Sequence, residues 1–578
     1  MAVRSVASPA LAGRQLPNQW DVIALCLVFG LLALIVQGSR GMTAPLAAPV
    51  TADLSLNYSN LPYYALRTTL RMFAAILCSL AFTFSYATIA AKSRRAELVL
   101  IPLLDVLQSV PVLGFLSFTV TFFLGLFPGS TLGAECAAIF AIFTSQAWNM
   151  AFSFYQSLRT VPRDLEEVAR SFGFSGWQKF WQLETPFAMP GLIWNTMMSM
   201  SGGWFFVVAS EAISVGDTTI KLPGVGSYLA LAIEQKRIDC VAAAVVTMAV
   251  VILAYDQIIF RPLVAFSDKF RVELTAAQTE AHSFVRDLFL RTRWLRQTSR
   301  APARLFHRVA LWRLEPPARV ERLASNIRLS SRLFDIAWYV IVVAGAGYSL
   351  YLVYDFVSRD LGLIDVSEAV GVTFITMARV LTLIALASLF WVPVSVWIGL
   401  RPAIAEKLQP LAQFLAAFPA NVLFPVAVVL ILKLSLNPDI WLSLLIVFGT
   451  QWYIVFNVIA GATAFPNDLK EVAANFQIGG WDWWRKVILP GIFPYYVTGA
   501  LTASGGSWNA AIVAEYVKWG DDTVSAHGIG AYIAKATAAG DFPRIVLGVC
   551  VMSVCVIMFN RLLWRPLFGF AERRLRLS

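Results

Sequence analysis

Glu167-Val168-Ala169 and Glu471-Val472-Ala473 lie 304 residues apart (471 − 167), and the chain around them repeats in register. Pro162, Asp164-Leu165, Trp177, Pro186, Pro190, Trp204, Glu211, Gly224, Gly226 and Tyr228 recur as Pro466, Asp468-Leu469, Trp481, Pro490, Pro494, Trp508, Glu515, Gly528, Gly530 and Tyr532. A repeat this long exceeds any solenoid unit, so the chain must fold as one module written twice and fused. Upstream, Thr68, Arg71, Pro102 and Pro111 match Thr376, Arg379, Pro410 and Pro419 at an offset of 308 (376 − 68). The change of offset places a loop about four residues shorter in the second copy, near Pro128-Gly129-Ser130.

What solvent this module meets follows from its polarity. Of 578 residues, 58% are hydrophobic and only 14% charged, with mean hydropathy +0.67, whereas a soluble globule carries about 25% charged residues. Lipid must therefore be part of the solvent. Apolar runs long enough to cross a bilayer lie near 20–38, 68–91, 99–127, 134–157, 187–214 and 240–261. A second set lies near 334–355, 371–399, 409–433, 439–460, 491–517 and 543–563. The expected fold is an all-α polytopic membrane protein of about 12 transmembrane helices in two tandem six-helix repeats. An even number of spans per copy makes the copies parallel, related by a pseudo-two-fold axis along the membrane normal. The expected boundaries are a stub at 1–19, a first unit at 20–262, a linker at 263–332, a second unit at 333–564 and a basic tail at 565–578.

The net charge of +11 fits the lysine and arginine bias of cytoplasmic segments rather than a nucleic-acid surface, for which no folded basic domain exists. Arg4, Arg14, Lys92, Arg94, Arg95, Arg401, Lys407, Arg573, Arg574 and Arg576 all fall on one side when six spans separate the copies, which puts both termini in the cytoplasm. The N-terminus lacks the cleavage site of a signal peptide. Six scattered cysteines and three histidines suggest no disulfide framework and no metal site. No G-x-x-x-x-G-K-[ST] loop occurs, so the chain has no phosphate cradle of its own.

The polar region 263–332 is rich in arginine. Arg296, Arg300, Arg304 and Arg308 recur every four residues, with Trp294, Leu305, Phe306 and Trp312 among them. Two readings are open: a basic helix on anionic headgroups, interrupted at Pro302, or a solvated tether.

Residues 162–186 and 466–490 form the polar loop between the fourth and fifth spans of each copy. Pro162 opens a short helix whose first turns hold Asp164, Glu166 and Glu167, where the dipole favours acid. Gly173 suits the left-handed residue that ends it. A second short segment starts at Gly176-Trp177 and is expected to stop at Pro186. In the other copy Gln477 replaces the glycine at a cost of roughly 1 kcal/mol, so that loop is expected to end differently, on Gly479-Gly480.

These two loops resemble the signature of ABC importer permeases, Glu-Ala-Ala, three residues, Gly, nine residues, Ile-x-Leu-Pro. The first reads Glu167-Val168-Ala169, Gly173, Leu183-Glu184-Thr185-Pro186; the second reads Glu471-Val472-Ala473, Gln477, Val487-Ile488-Leu489-Pro490. Gln108-Ser109-Val110-Pro111-Val112-Leu113 and Ser507-Trp508-Asn509-Ala510 through Ala514-Glu515 to Gly528-Ile529-Gly530 are similar to the nitrate, sulfonate, taurine and bicarbonate branch. That branch commonly pairs two copies of one permease, so fusion is a departure.

The resemblance implies a type I importer fold in a bacterial inner membrane. Glu166, Glu167, Ala169, Gly173, Trp177 and Pro186, with Glu471, Ala473, Gln477, Trp481 and Pro490, would then form two coupling loops. Each would dock on one of two cytoplasmic ATPase subunits, which bind the ATP and magnesium. A periplasmic or lipid-anchored solute-binding protein would deliver solute from outside. The chain would hold no cofactor and catalyse nothing itself. The rival reading is a secondary transporter with parallel repeats driven by an ion gradient.

Trp204, Glu211, Trp508 and Glu515 are candidate pathway or gate residues, because an acid within or near the membrane faces protein or water. The alternative for each glutamate is a structural cap at its helix end. Ser201-Gly202-Gly203 and Ser504-Gly505-Gly506 are expected to permit close backbone approach across the axis, and Arg71 and Arg379 to act as interfacial anchors.

Overall fold

A computed structural model of the chain describes residues 54–128, 130–215, 218–267, 284–292, 297–298, 300–313, 331–463, 465 and 467–574. The expected stub, the span at 20–38 and much of the linker, including Arg296, lie outside them.

In the first half the elements are α1 (Leu61–Lys92), α2 (Arg94–Ser109), α3 (Leu116–Leu126), α4 (Leu132–Arg159), α5 (Arg163–Ser171), α6 (Gly176–Lys179) and α7 (Thr185–Glu211). A hairpin of β1 (Ala212–Val215) and β2 (Thr218–Lys221) follows, then α8 (Val225–Glu234) and α9 (Ile238–Tyr255). The linker supplies α10 (Phe284–Arg291) and α11 (Arg300–Ala310). The second half begins with α12 (Ser331–Ser358), α13 (Leu363–Gly399), α14 (Pro402–Ala417), α15 (Phe424–Lys433), α16 (Pro438–Phe448) and α17 (Gln451–Thr463). It continues with α18 (Asn467–Asn475), α19 (Gly480–Trp483), α20 (Leu489–Ala514), β3 (Tyr516–Trp519), β4 (Asp522–Ser525), α21 (Ile529–Ala539) and α22 (Phe542–Phe559), and ends with α23 (Arg565–Arg574).

The repeat reaches down to local irregularities. Phe180–Glu184 and Trp484–Ile488 are π turns at equivalent positions, as are Asp256–Phe260 and Asn560–Trp564. Both hairpins are antiparallel, pairing Ala212 with Lys221 and Tyr516 with Ser525. Among the described residues six helices are long and apolar enough to cross a membrane, or eight when two bent pairs are each counted once. The exposed face of α12, with Val340, Ile341, Val343 and Leu350, is suited to lipid.

The third span of each half is broken, not continuous as the apolar runs at 99–127 and 409–433 suggest. Proline lacks the N–H a helix needs and pushes its predecessor to extended backbone. Val110 and Phe418 are extended before Pro111 and Pro419, and 3-10 turns at Val112–Phe115 and Ala420–Leu423 restart the helix. In the second half the two pieces meet at 76°.

These broken segments lock the halves together. Val112, Leu113, Leu116 and Val120 pack in one core with Trp508, Ile512, Ile529 and Met552 of the other half. Reciprocally, Val422, Val428 and Ile431 join the core of Trp204, Val207 and Tyr228. Two hydrogen bonds repeat the exchange: Val112 N donates to Asn509 Oδ1 at 2.9 Å, and Asn421 Nδ2 donates to the Phe205 carbonyl at 3.1 Å. Residues 205 and 509 are themselves equivalents, so each axial helix is gripped by the opposite half.

Candidate functional site: two loops and two buried carboxylates

Each loop is a short helix, a left-handed turn, and a helix that runs on into the fifth span. Gly173 has φ +64° and Gln477 has φ +52°. Gly173 N donates to Arg170 O at 2.9 Å and Phe174 N to Ala169 O at 3.0 Å; Gln477 N donates to Ala474 O at 3.0 Å and Ile478 N to Ala473 O at 2.9 Å. At Gln477 the expectation of a different ending is thus overturned, while Gly480, at φ +58°, adds a second left-handed residue that the first loop lacks. The paired backbone bonds satisfy the helix's last carbonyls and hold a side-chain-bearing residue in glycine's conformation. Gln477→Gly should stabilise the second loop by about 0.5–1 kcal/mol, and Gly173→Ala should destabilise the first by about 1 kcal/mol. Thermal unfolding of the two variants measures both signs.

Pro186 and Pro490 do not stop a segment either. Each lies just past the π turn that leads into α7 or α20, where the widened turn accommodates a residue without an N–H. The π turns pass the helical path from α6 and α19 straight into the membrane helices, which makes each loop continuous with its span. Ala169 and Ala473 are the buried residues of the loop helices. Glu167 and Glu471 are exposed. Glu166 accepts from Lys179 Nζ at 2.7 Å, and this bond holds its carboxyl below the usual range. Lys92 Nζ sits 2.9 Å from Glu184, tying the loop's exit to the end of α1.

The loop tips match closely. Val168 and Phe172 are 49% and 73% exposed, and their counterparts Val472 and Phe476 are 48% and 75% exposed. The tryptophans do not match: Trp481 is exposed, whereas Trp177 is partly covered and donates from Nε1 to the Val309 carbonyl at 2.8 Å.

α7 and α20 run from these loops to the hairpins, and the hairpin ends of the halves meet. Gly520 N donates to Ile233 O at 3.0 Å, and Lys236 Nζ lies 3.0 Å from Asp522. Both loops therefore lie at the opposite, shared end of the bundle.

At the hairpin ends sit Glu211 and Glu515, fully buried. Glu211 accepts from Thr68 Oγ1, an Arg71 nitrogen and Gly226 N, each at 2.7 Å. Glu515 accepts from Thr376 Oγ1 at 2.8 Å, from Arg379, and from Gly530 N at 2.8 Å. Thr68 and Thr376 each take a further bond, from Val225 N and Ile529 N at 3.0 Å. The constellation staples three segments of one half together.

Arg71 and Arg379 are not interfacial anchors. Arg71 is fully buried and also bonds Glu135 at 2.6 and 2.8 Å, while Arg67 reaches Glu135 at 2.7 Å. Arg379 pairs with Glu515 and lies 3.5 Å from Asp439. Glu135 and Asp439 escaped the sequence reading, although they too stand 304 apart (439 − 135). Gly224 and Gly528 have extended backbones, and a Cβ on either would overlap the glutamate carboxylate. Gly224→Ala or Gly528→Ala should therefore cost about 2–4 kcal/mol by displacing a buried carboxylate, seen as loss of folded protein in detergent.

Trp204 and Trp508 are buried in the cores rather than lining an open passage; Trp204 meets Tyr255 edge-on with ring centres 5.6 Å apart. Gly203 packs within its own half against Gln146 and Met72, and Gly506 against Thr450, whereas Gly202 faces the Tyr453 hydroxyl of the other half and Gly505 faces open space. Across the axis Ser201 Oγ and Tyr453 OH are 3.3 Å apart. No group of three or more metal-ligating side chains is found among the described residues.

Residues 84–260 and 391–564 each match the binding-protein-dependent transport system inner membrane component family. The chain belongs to this family. It carries two permease units in one polypeptide, each match beginning within the second span and ending within the sixth. Among curated relatives, the bicarbonate transport system permease protein CmpB of Synechococcus elongatus is 28% identical over 190 residues, covering 33% of this chain and 65% of its own length. The nitrate import permease protein NrtB of Leptolyngbya laminosa is 25% identical, covering 32% and 63%. A probable ABC transporter permease protein of Brucella melitensis is 24% identical over 258 residues, 45% of this chain and 98% of that protein. The chain thus spans just under two thirds of the length of the bicarbonate and nitrate relatives.

Proposed function

We propose that this ABC permease forms by itself the complete two-fold pathway of an importer for a small anion, with bicarbonate and nitrate the first solutes to test. The observation that carries the reading is the pair of loops, 162–186 and 466–490, at one end of the bundle with equally exposed Val-Phe tips. Each loop docks on one cytoplasmic ATPase subunit. That subunit binds ATP and magnesium, and closure of the ATPase pair moves the two halves. Rigid motion is supported by the helical continuity from α6 to α7 and from α19 to α20, because a lever transmits force only if it does not bend. The same orientation puts both termini in the cytoplasm and the hairpin ends outside, facing a solute-binding protein.

The bond exchange between broken spans and opposite axial helices is where such motion is felt at the axis. Glu211 and Glu515 bind no solute in this reading, since a buried, arginine-neutralised carboxylate is a poor host for an anion. Uptake of labelled bicarbonate and nitrate into proteoliposomes holding this chain, an ATPase subunit and a solute-binding protein tests the proposal. Uptake should need ATP and the ATPase and should survive ionophores. Uptake by the permease alone, abolished by collapsing an ion gradient, would instead establish a secondary transporter.

A further inference from the structure

The first loop is already in contact with the linker. Trp177 Nε1 donates to Val309 O at 2.8 Å, Gln178 Nε2 donates to Leu311 O at 2.9 Å, and an Arg313 guanidinium nitrogen donates to Gly173 O at 3.3 Å. The first two bonds use carbonyls at and just past the C-terminal end of α11, and Val309 O also accepts from Trp312 N at 3.1 Å. Ala310 is buried at the contact. The second loop's tryptophan, Trp481, is 73% exposed. Yet α11 leaves the tip of the first loop uncovered, with Val168 and Phe172 as open as Val472 and Phe476. A helix acting as a plug would have covered the tip. This one widens the loop sideways.

What it adds is positive charge. Residues 300–313 contain Arg300, Arg304, Arg308 and Arg313 and no acidic residue. Arg300, Arg304, His307 and Arg308 are all exposed, in the company of exposed Leu305 and Trp312. We infer that α11 and the first loop form one composite docking surface, which takes an ATPase subunit with an acidic rim beside its loop-binding groove, while the second loop docks alone. This rests on the coupling role proposed above. It follows that the two ATPase sites are unequal: the first has an arginine ridge of long electrostatic reach, and the second depends on its apolar tip and Trp481. Such a surface sets association rate and salt dependence more than residence time.

The test uses the full-length chain in nanodiscs with the ATPase subunit that supports its uptake. A photo-crosslinking amino acid is placed at position 304, and at 172 and 476 as loop reporters. All three positions should crosslink to the ATPase. The triple variant Arg300→Glu, Arg304→Glu, Arg308→Glu should bind it roughly tenfold more weakly at low salt and approach wild type at high salt. The triple glutamine variant should show a smaller loss of the same sign. Crosslinks from 172 and 476 with none from 304, or with 304 reaching only lipid, would overturn the composite surface and leave the coupling role standing. Silence at all three positions would overturn both.

Discussion

Replacing Phe172 and Phe476 together by aspartate should abolish ATP-dependent uptake while leaving the folded permease in the membrane. Both rings project from loop tips, 73% and 75% exposed, so their removal takes no packing from the fold. If they are the apolar anchors of two docking sites, each loss should cost about 2 kcal/mol of docking free energy, or about 30-fold in affinity at each site. One chain carries both loops, and the ATPases work as a pair, so the effects combine in a single molecule. Copurification of the ATPase and uptake should fall together, while size-exclusion profiles stay unchanged. The single variants separate the loops: Phe476→Asp should be the more damaging, because the first loop retains the arginine ridge of α11 as a second contact.

Removing the Arg71 guanidinium should be the most destabilising single change in the molecule. Arg71→Ala removes the shared cation from two buried carboxylates, leaving Glu135 to Arg67 and Glu211 to the neutral donors Thr68 and Gly226. Breaking a buried ion pair from one side costs about 3–5 kcal/mol, enough to exhaust the stability of many membrane domains. Arg379→Ala should cost less, about 1–3 kcal/mol. Arg379 is slightly exposed, and its second partner, Asp439, is 41% exposed and also accepts from His527 N at 2.7 Å. Expression yield and thermal unfolding in detergent should rank Arg71→Ala below Arg379→Ala, with both below wild type. Equal losses would mean that the differing burial of the two networks does not matter.

The repeat made much of this legible. A recurrence such as Glu167 to Glu471 needs no structure to be seen, and it identified the loops, their helical start at Pro162 and the left-handed turn at Gly173. What it could not supply was the partner of each repeated residue. Thr68, Arg71, Glu211 and Gly226 are spread over about 160 positions, and no local period links them; only the fold brings the other three to the Glu211 carboxylate. Local rules also misjudged strain. Gln477 is a poor residue for its φ, yet tertiary and backbone bonds enforce the turn. The four-residue strands after Glu211 and Glu515 were too short to register as a pattern beside long apolar runs. Pro111 and Pro419 offered a signal for the broken third span, but hydropathy alone reads through a proline in an otherwise apolar segment.

The central claim is that both loops lie beneath the same face of the bilayer, within reach of one ATPase pair. Single cysteines at positions 172 and 476, in a background freed of the native cysteines, can be reacted with a membrane-impermeant maleimide in right-side-out and inverted vesicles. Both should label in inverted vesicles and resist in right-side-out ones, and bound ATPase should protect both. Labelling of the two cysteines from opposite faces would contradict the account.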